Sequence, residues 1–439
     1  MGNFKKYNIE PTDDNIKESI QCNNYGRVDF VKNFIEGLEM IDTNVFICLD
    51  AKWGEGKTFC VRQIEMTLKY LSNKLLQQDV SDFGETFSGS QLNNISIEST
   101  YMPIYYNAWL YDCHNDPLIS LLYVLVKECG KYVSTTMDTK SVGDKLISLL
   151  SSFSLPFIES PGDLEKVKAG LTGKDLLAEV KTAEDIRTTV KEILNDIITE
   201  SCQKLVIFID ELDRCKPSYA IEMLERIKHY FDDSRIIFVA SLNKEQLVHT
   251  ISRYYGENFD STGYLNKFFD INIYLPEIPN YMKGNNILQT NNEQYWLKRI
   301  VDDLCKYYTL SLRDAIIFKQ HIESTQKQYY YDYTADGCMF SMFVPIIQIL
   351  NIKSFEMKSK FMEGDAELFR ELCENVTSIH DLICKFGKDG AMNEDNYQIG
   401  FEKIFEFYEC VFRKNEPYKG ELDIQYDFKN ACIRVCNGN

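Results

Sequence analysis

The sequence predicts an α/β fold, a parallel sheet flanked by helices, followed by a mainly α-helical C-terminal region. Three observations predict it. The apolar run Asn44-Val-Phe-Ile-Cys-Leu49 leads through a glycine-bearing turn into a helical pattern that begins at Lys57. A second run, Lys204-Leu-Val-Ile-Phe-Ile-Asp210, is apolar on both faces and ends in acids. A third, Arg235-Ile-Ile-Phe-Val-Ala-Ser241, repeats that character. Strands apolar on both faces belong to parallel sheets covered by helices, and such sheets place ligands at their C-terminal strand ends.

The first turn reads Asp50-Ala-Lys-Trp-Gly-Glu-Gly-Lys-Thr58. Strand, Gly-rich turn, Lys-Thr and helix is the arrangement that cradles phosphate groups. Gly54 and Gly56 let backbone N–H groups face phosphate oxygens without side-chain clash, and the helix N-terminus behind them adds partial positive charge. Lys57 would reach the β- and γ-phosphates, and the Thr58 hydroxyl would ligate Mg²⁺. Lys52, Trp53, Glu55 and Phe59 complete the candidate cofactor-binding stretch. The full pattern has Gly at its first position; Ala51 stands there, and serves while its φ stays negative.

The second run closes with Asp210-Glu-Leu-Asp-Arg214. Asp210 would hold Mg²⁺ through water, and Glu211, pointing elsewhere, would orient or deprotonate the attacking water. The third run ends in Leu242-Asn243, and Asn243 is placed to sense a γ-phosphate. Phosphoryl transfer needs charge neutralisation beyond Lys57 and Mg²⁺. Arg214, Lys267 and Arg313 are equal candidates for it, in the same chain or across an oligomer.

Composition narrows the partners. The 48 basic and 66 acidic residues leave a net charge of −18. That opposes phosphate-backbone binding over a broad surface, so nucleic acid is unsupported unless a local basic groove exists. The 14 cysteines include no CxxC, and the five histidines are scattered. The pattern reads as reduced core cysteines in a cytoplasmic protein rather than a metal site. The N-terminus lacks an apolar signal core. The most apolar run, Cys338 to Leu350, is broken by Ser341, Pro345 and Gln348. It falls short of the about 20 apolar residues a bilayer requires, which implies a buried helix or interface segment and no membrane.

The remaining elements follow from spacing. Residues 1–24 read as an N-terminal arm, polar and irregular to residue 20. Phe30, Val31, Phe34 and Leu38 predict a helix from Gly26, with Arg27 either touching nucleotide or facing solvent. Val61, Ile64, Leu68 and Leu71 predict one helix from Lys57 to about Leu76. Residues 80–100 read as a surface loop, Tyr101 to Trp109 as a strand with a polar-aromatic turn, and Pro117 to Gly130 as a helix. Residues 131–181 read as an insertion, and Thr172-Gly-Lys174 within it lacks the flanking strand of a phosphate loop. Ile186, Val190, Ile193 and Ile197 give a helical face from Thr182. Pro217-Ser218 reads as the cap of a helix to Phe231, and a helix from Lys244 to Tyr255 follows the third run. A short helix and a fifth strand occupy residues 264–276. Beyond residue 280, helices are expected from Trp296 and from Leu310, then a helical partner-binding region with aromatic clusters at Tyr329 to Tyr331 and Phe401 to Phe412.

Lys52-Trp-Gly-Glu-Gly-Lys-Thr58, Tyr106-Asn-Ala-Trp109, Ile209-Asp-Glu-Leu-Asp-Arg-Cys-Lys-Pro217 and Tyr264-Leu-Asn-Lys-Phe268 together resemble the KAP family of P-loop NTPases. The resemblance covers residues 25–280, in the family's order and spacing. It implies an NTPase core related to the AAA+ and STAND groups, with five parallel strands ordered 5-1-4-3-2. It places a lid-like helical part after the core, where Arg313 is either a nucleotide sensor or a surface salt-bridge residue. Many relatives carry transmembrane helices between the two nucleotide motifs; this sequence has none there. The family includes bacterial phage-exclusion proteins, and a member without an appended effector looks more like the bacterial kind. The expectation is an Mg²⁺-dependent ATPase whose cycle moves the C-terminal helical part, in a homo-oligomer or with a protein partner. The rivals are a nucleotide-gated switch with little turnover, a DNA-remodelling motor and a scaffold with a degenerate site. The last is disfavoured by the presence of Lys57, Thr58, Asp210 and Glu211.

Overall fold

In the computed structural model of the protein, one sheet holds all five strands: β1 (Val45–Asp50), β2 (Tyr101–Asn107), β3 (Lys204–Asp210), β4 (Ile236–Leu242) and β5 (Ile271–Tyr274). Their spatial order is β2-β3-β4-β1-β5, the order the resemblance implied, and every pairing is parallel. The structure describes residues 10–23, 25–114, 116–132, 145, 183–198, 202–278, 294–325, 333–389, 391–416, 418–422, 424 and 427–436. The expected insertion at 131–181, Thr172-Gly-Lys174 and the Tyr329 to Tyr331 cluster lie almost wholly outside them.

Side-chain alternation gives β3 and β4 two buried faces, while the edge strand β5 stays largely exposed. Leu205, Ile207 and Ile209 of β3 and Phe238 and Ala240 of β4 join one apolar cluster. Val206 and Phe208, with Ile237 and Val239, join another across the sheet. The first cluster is covered by α5 (Pro117–Tyr132), α6 (Ala183–Ile197), α7 (Pro217–Tyr230), α8 (Lys244–Tyr255) and α9 (Ser261–Leu265). The second is covered by α1 (Asp13–Cys22), α2 (Val28–Glu39) and α3 (Lys57–Leu75), with Phe87, Leu92, Ile95 and Ile97 from the segment after α3. That segment, expected as a surface loop, is thus a packed flap. A one-turn helix, α4 (Ala108–Tyr111), follows β2.

The first twenty residues are not wholly irregular. α1 starts with the Thr12 hydroxyl capping Asn15 N–H and places Asp13 and Asp14 in its first turn. Only two apolar residues, Ile16 and Ile20, reach the core, and their i, i+4 spacing was masked by polar neighbours. At α7 the expected Pro-Ser cap is instead Pro in the first turn, after Lys216 at the cap position.

Past the sheet the described chain is helical: α10 (Tyr295–Tyr307), α11 (Leu312–Ser324), α12 (Ala335–Lys353), α13 (Phe355–Met362), α14 (Ala366–Asn375), α15 (Thr377–Lys385), α16 (Glu394–Tyr408) and α17 (Phe428–Cys436). α12 runs unbroken through Ser341, Pro345 and Gln348, all buried. Pro345 has no N–H for the Ser341 carbonyl, a loss tolerated inside a packed centre. Among the described residues α12 alone is long and apolar enough to cross a membrane, and 78% of its most apolar window is buried inside the protein.

Candidate functional site

The phosphate loop occupies the C-terminal end of β1, and its backbone shows why the glycines are there. Gly54 and Gly56 have φ of 85° and 82°, values that L side chains rarely adopt. Space is also short, severely at Gly54 and mildly at Gly56. A Cβ on Gly54 would lie 2.4 Å from Ser311 Oγ, and one on Gly56 would lie 3.3 Å from Leu312 Cδ2. The start of α11 therefore sits directly on the loop, and Arg313 N–H donates to the Gly54 carbonyl at 3.0 Å.

Lys57 and Thr58 open α3. The Lys57 ammonium turns back into the loop, donating to the Ala51 carbonyl at 2.7 Å and the Lys52 carbonyl at 3.1 Å. Burial lowers its pKa, while Asp213, Asp210 and Asp50 act the other way. Asp210 ends β3, 1% exposed. Burial raises its pKa, and side-chain hydrogen bonds with Thr58 and Tyr105 work against that rise. Tyr105 Oη donates to Asp210 Oδ2 at 2.9 Å.

Glu211 follows in the left-handed region, φ 63°, at a cost of about 1–2 kcal/mol for a residue with a Cβ. Its carboxylate accepts from Asn107 Nδ2 at 3.2 Å and pairs with Arg214 at 3.1 Å. The guanidinium of Arg214 also lies over Trp109, 5.5 Å from the ring centroid.

These groups share a cleft of about 240 Å³. Trp53 to Phe59 line it, with Tyr105, Asn107, Asp210, Glu211, Asp213, Arg214 and, from α11, Leu312 and Arg313. Arg27 is the solvent-facing alternative overturned: it is 4% exposed and lines the cleft. Its guanidinium donates to the Pro276 and Glu55 carbonyls. Tyr25, edge-on to Phe59 at 5.8 Å, lines the same wall with Ile278 and Ile316.

Three sequence candidates lie elsewhere. Asn243 does not line this cleft; its Oδ1 accepts from Gln246 N–H and caps α8. With Lys52 it lines a separate cleft of about 330 Å³. Lys267 is exposed and outside both clefts. Conversely, Tyr105, Asn107 and Asp213 were missed. The signal for the first two was present: Asn107 is in register with Asp210 on the neighbouring strand, and Tyr105 lies two residues before it on the same face.

The donor set fits a nucleotide triphosphate with Mg²⁺. A hydroxyl and a desolvated carboxylate stand together at Thr58 and Asp210, the hard oxygen donors Mg²⁺ takes. The Lys57 ammonium is satisfied by main-chain carbonyls that a phosphate oxygen can replace. Among the described residues no group of three or more His, Cys, Asp or Glu is arranged to hold a metal by itself.

The family model for the KAP family P-loop domain matches residues 27–325. A protein described as the phage T7 exclusion protein of Escherichia coli strain K12 is 22% identical over 271 residues, 59% of this chain. The match spans 34% of that relative, so the chain accounts for about a third of its length. The solved ORC2 protein of Aeropyrum pernix, in ADPNP and ADP complexes, is similar over 94% of this chain and 83% of its own. Its identity is 14% and its TM-score 0.28; the fold assignment stands on strand order and site geometry. With those two features and a family match over more than half its length, the chain belongs to the KAP family of P-loop NTPases.

Proposed function

We propose that the protein binds and hydrolyses ATP with Mg²⁺, and that its nucleotide state moves the helical region against the sheet region. The observation that carries this is the convergence of Lys57, Thr58, Asp210 and Glu211 on one cleft on which α11 is also seated. In this reading Lys57 exchanges its loop carbonyls for phosphate oxygens. Thr58 and Asp210 hold Mg²⁺, which supplies charge neutralisation on the transferring phosphoryl group. Tyr105 orients the Asp210 carboxylate. Glu211 takes the proton of the attacking water. Arg214 and Arg313, both on the cleft, are the candidates for charge stabilisation; Asn243 and Lys267 require movement to take part. Tyr25 and Phe59 give a base an aromatic wall.

The same reading extends to assembly and setting. A partner or second copy would meet the helical region, where Phe355 is 79% exposed. The name of the Escherichia coli relative motivates a role in phage defence.

A switch with little turnover has one observation in its favour. Glu211 is engaged by both Asn107 and Arg214, so its carboxylate must be released before it acts. Steady-state ATP turnover of the wild type and Glu211→Gln separates the two readings. Hydrolysis predicts a measurable wild-type rate and a fall of about 10²–10⁴-fold in the variant, with ATP binding retained. A variant that turns over at the wild-type rate would remove Glu211 as the base.

A further inference from the structure

The turn that carries Glu211 holds a second acid with no part in the mechanism above. Asp213 is 7% exposed and accepts a hydrogen bond from Trp53 Nε1 at 2.5 Å. The partners come from the two halves of the site, 160 residues apart: Trp53 from the phosphate loop, Asp213 from the turn after β3. Both sides of this contact need holding. The loop has two residues in the left-handed region, Gly54 and Gly56, and glycine gives a chain its widest freedom. The turn begins with Glu211, whose own left-handed φ persists only if its surroundings enforce it. Burial does not explain Trp53, because it is 48% exposed. Its indole N–H is the part of the side chain with a defined job. The Asp213 carboxylate is also the charge that acts most strongly on the Lys57 ammonium.

We propose that Trp53 and Asp213 are positioning residues for hydrolysis. Their hydrogen bond fixes the turn bearing Glu211 against the phosphate loop, and so sets where the base stands relative to the bound phosphates. The proposal rests on the hydrolytic reading for its kinetic consequence, but the latch itself is a contact within the fold that can be tested without turnover.

The test uses Trp53→Phe, which keeps an aromatic ring and loses the donor, Asp213→Ala, which loses the acceptor, and Asp213→Asn, whose amide oxygen still accepts. ATP hydrolysis is measured as kcat and KM, and amide hydrogen exchange is followed across residues 210–216 without nucleotide. Trp53→Phe and Asp213→Ala are expected to lower kcat about tenfold, with KM within about twofold of wild type. The double variant Trp53→Phe/Asp213→Ala should be no slower than either single, because both remove one interaction. Asp213→Asn should recover most of the loss seen in Asp213→Ala. Exchange in the turn should quicken in Trp53→Phe and Asp213→Ala and stay near wild type in Asp213→Asn. Unchanged exchange in Trp53→Phe, or strictly additive kinetic losses, overturns the latch. An Asp213→Asn variant as slow as Asp213→Ala also overturns it, since charge and not the hydrogen bond would then matter. If the wild type binds ATP without turning it over, the hydrolytic reading fails by itself, and the exchange experiment still decides the latch.

Discussion

The sheet region and the helical region both bury apolar side chains, but they treat polar groups differently. At the C-terminal strand ends, Lys57, Asp210, Asp213 and Glu211 converge, and each is held by a named partner. In the helical region the centre is aromatic. Phe343 of α12 is surrounded by Phe361, Phe369, Phe407, Tyr408, Phe412 and Phe428, with ring centroids 5.2–6.1 Å away. The one region concentrates charge at a cost in desolvation; the other contributes packing. They meet where Ser311, Leu312 and Arg313 rest on Gly54 and Gly56. In the proposed function, chemistry would belong to one side, and the joint would let the other side respond.

The contrast is breakable at each point, beginning with the largest effect. Thr58→Ala removes a hydroxyl from the Asp210 carboxylate and from the proposed cation. Mg²⁺-dependent turnover should fall about 10²–10³-fold, on the order of 3–4 kcal/mol, while chemical denaturation changes little. A Thr58→Ala enzyme with wild-type turnover would mean that chemistry is not concentrated at these strand ends.

Phe343→Ala should do the reverse. It empties the aromatic centre and should cost about 3–5 kcal/mol of stability, measured by urea denaturation. ATP affinity at low temperature, in the fraction that stays folded, should be unchanged. A loss of affinity without a loss of stability would show that the aromatic centre shapes the site.

Gly54→Ala addresses the joint. The new Cβ meets Ser311 Oγ and adopts an unfavourable φ, so a loss of about 2 kcal/mol is expected. Gly37→Ala is its control. Gly37 lies within α2, with nothing within 4 Å of a built Cβ, and the change should add about 0.5–1 kcal/mol by helix propensity. Equal effects at the two glycines would mean that α11 does not bear on the loop.

The smallest effect is a pH dependence. Burial raises the Asp210 pKa in the folded protein. A raised carboxyl pKa gives its full stability below the unfolded value and loses it as pH rises through the folded value. Without nucleotide and Mg²⁺, Asp210→Asn should therefore be more stable than wild type at neutral pH, by on the order of 1 kcal/mol, and the gap should close as pH falls. Thermal melts across pH measure it. A gap that widens toward acid would reverse the sign of the burial effect.

Legibility in the sequence divides along the same line. The phosphate loop and the Asp210-Glu211 strand end could be read because phosphate and metal chemistry permits few residue types at fixed spacing. Strand order came with the family resemblance, since no local pattern specifies which strands are neighbours. Asn243 shows the limit: a polar residue between a strand and a helix is a sensor or a helix cap, and the same Asn satisfies both descriptions. Asp213 was invisible for a related reason. Its partner, Trp53, lies far away in the chain, and only the fold brings indole to carboxylate. α1 was lost because two buried isoleucines among polar residues make a weak periodicity. α12 was legible as a buried segment; only its continuity was hidden, because Pro345 and two polar residues interrupt the apolar pattern and burial against surrounding helices overrides that local signal.

The central claim is that ATP and Mg²⁺ are held between the turn after β1 and the acids closing β3. Titration calorimetry of ATP in Mg²⁺, comparing wild type with Lys57→Ala, tests it most directly. The account predicts one nucleotide bound per chain by the wild type and a loss of affinity of at least about 100-fold in the variant. Wild-type protein that takes up no ATP, or a Lys57→Ala variant that binds it equally well, would contradict the account.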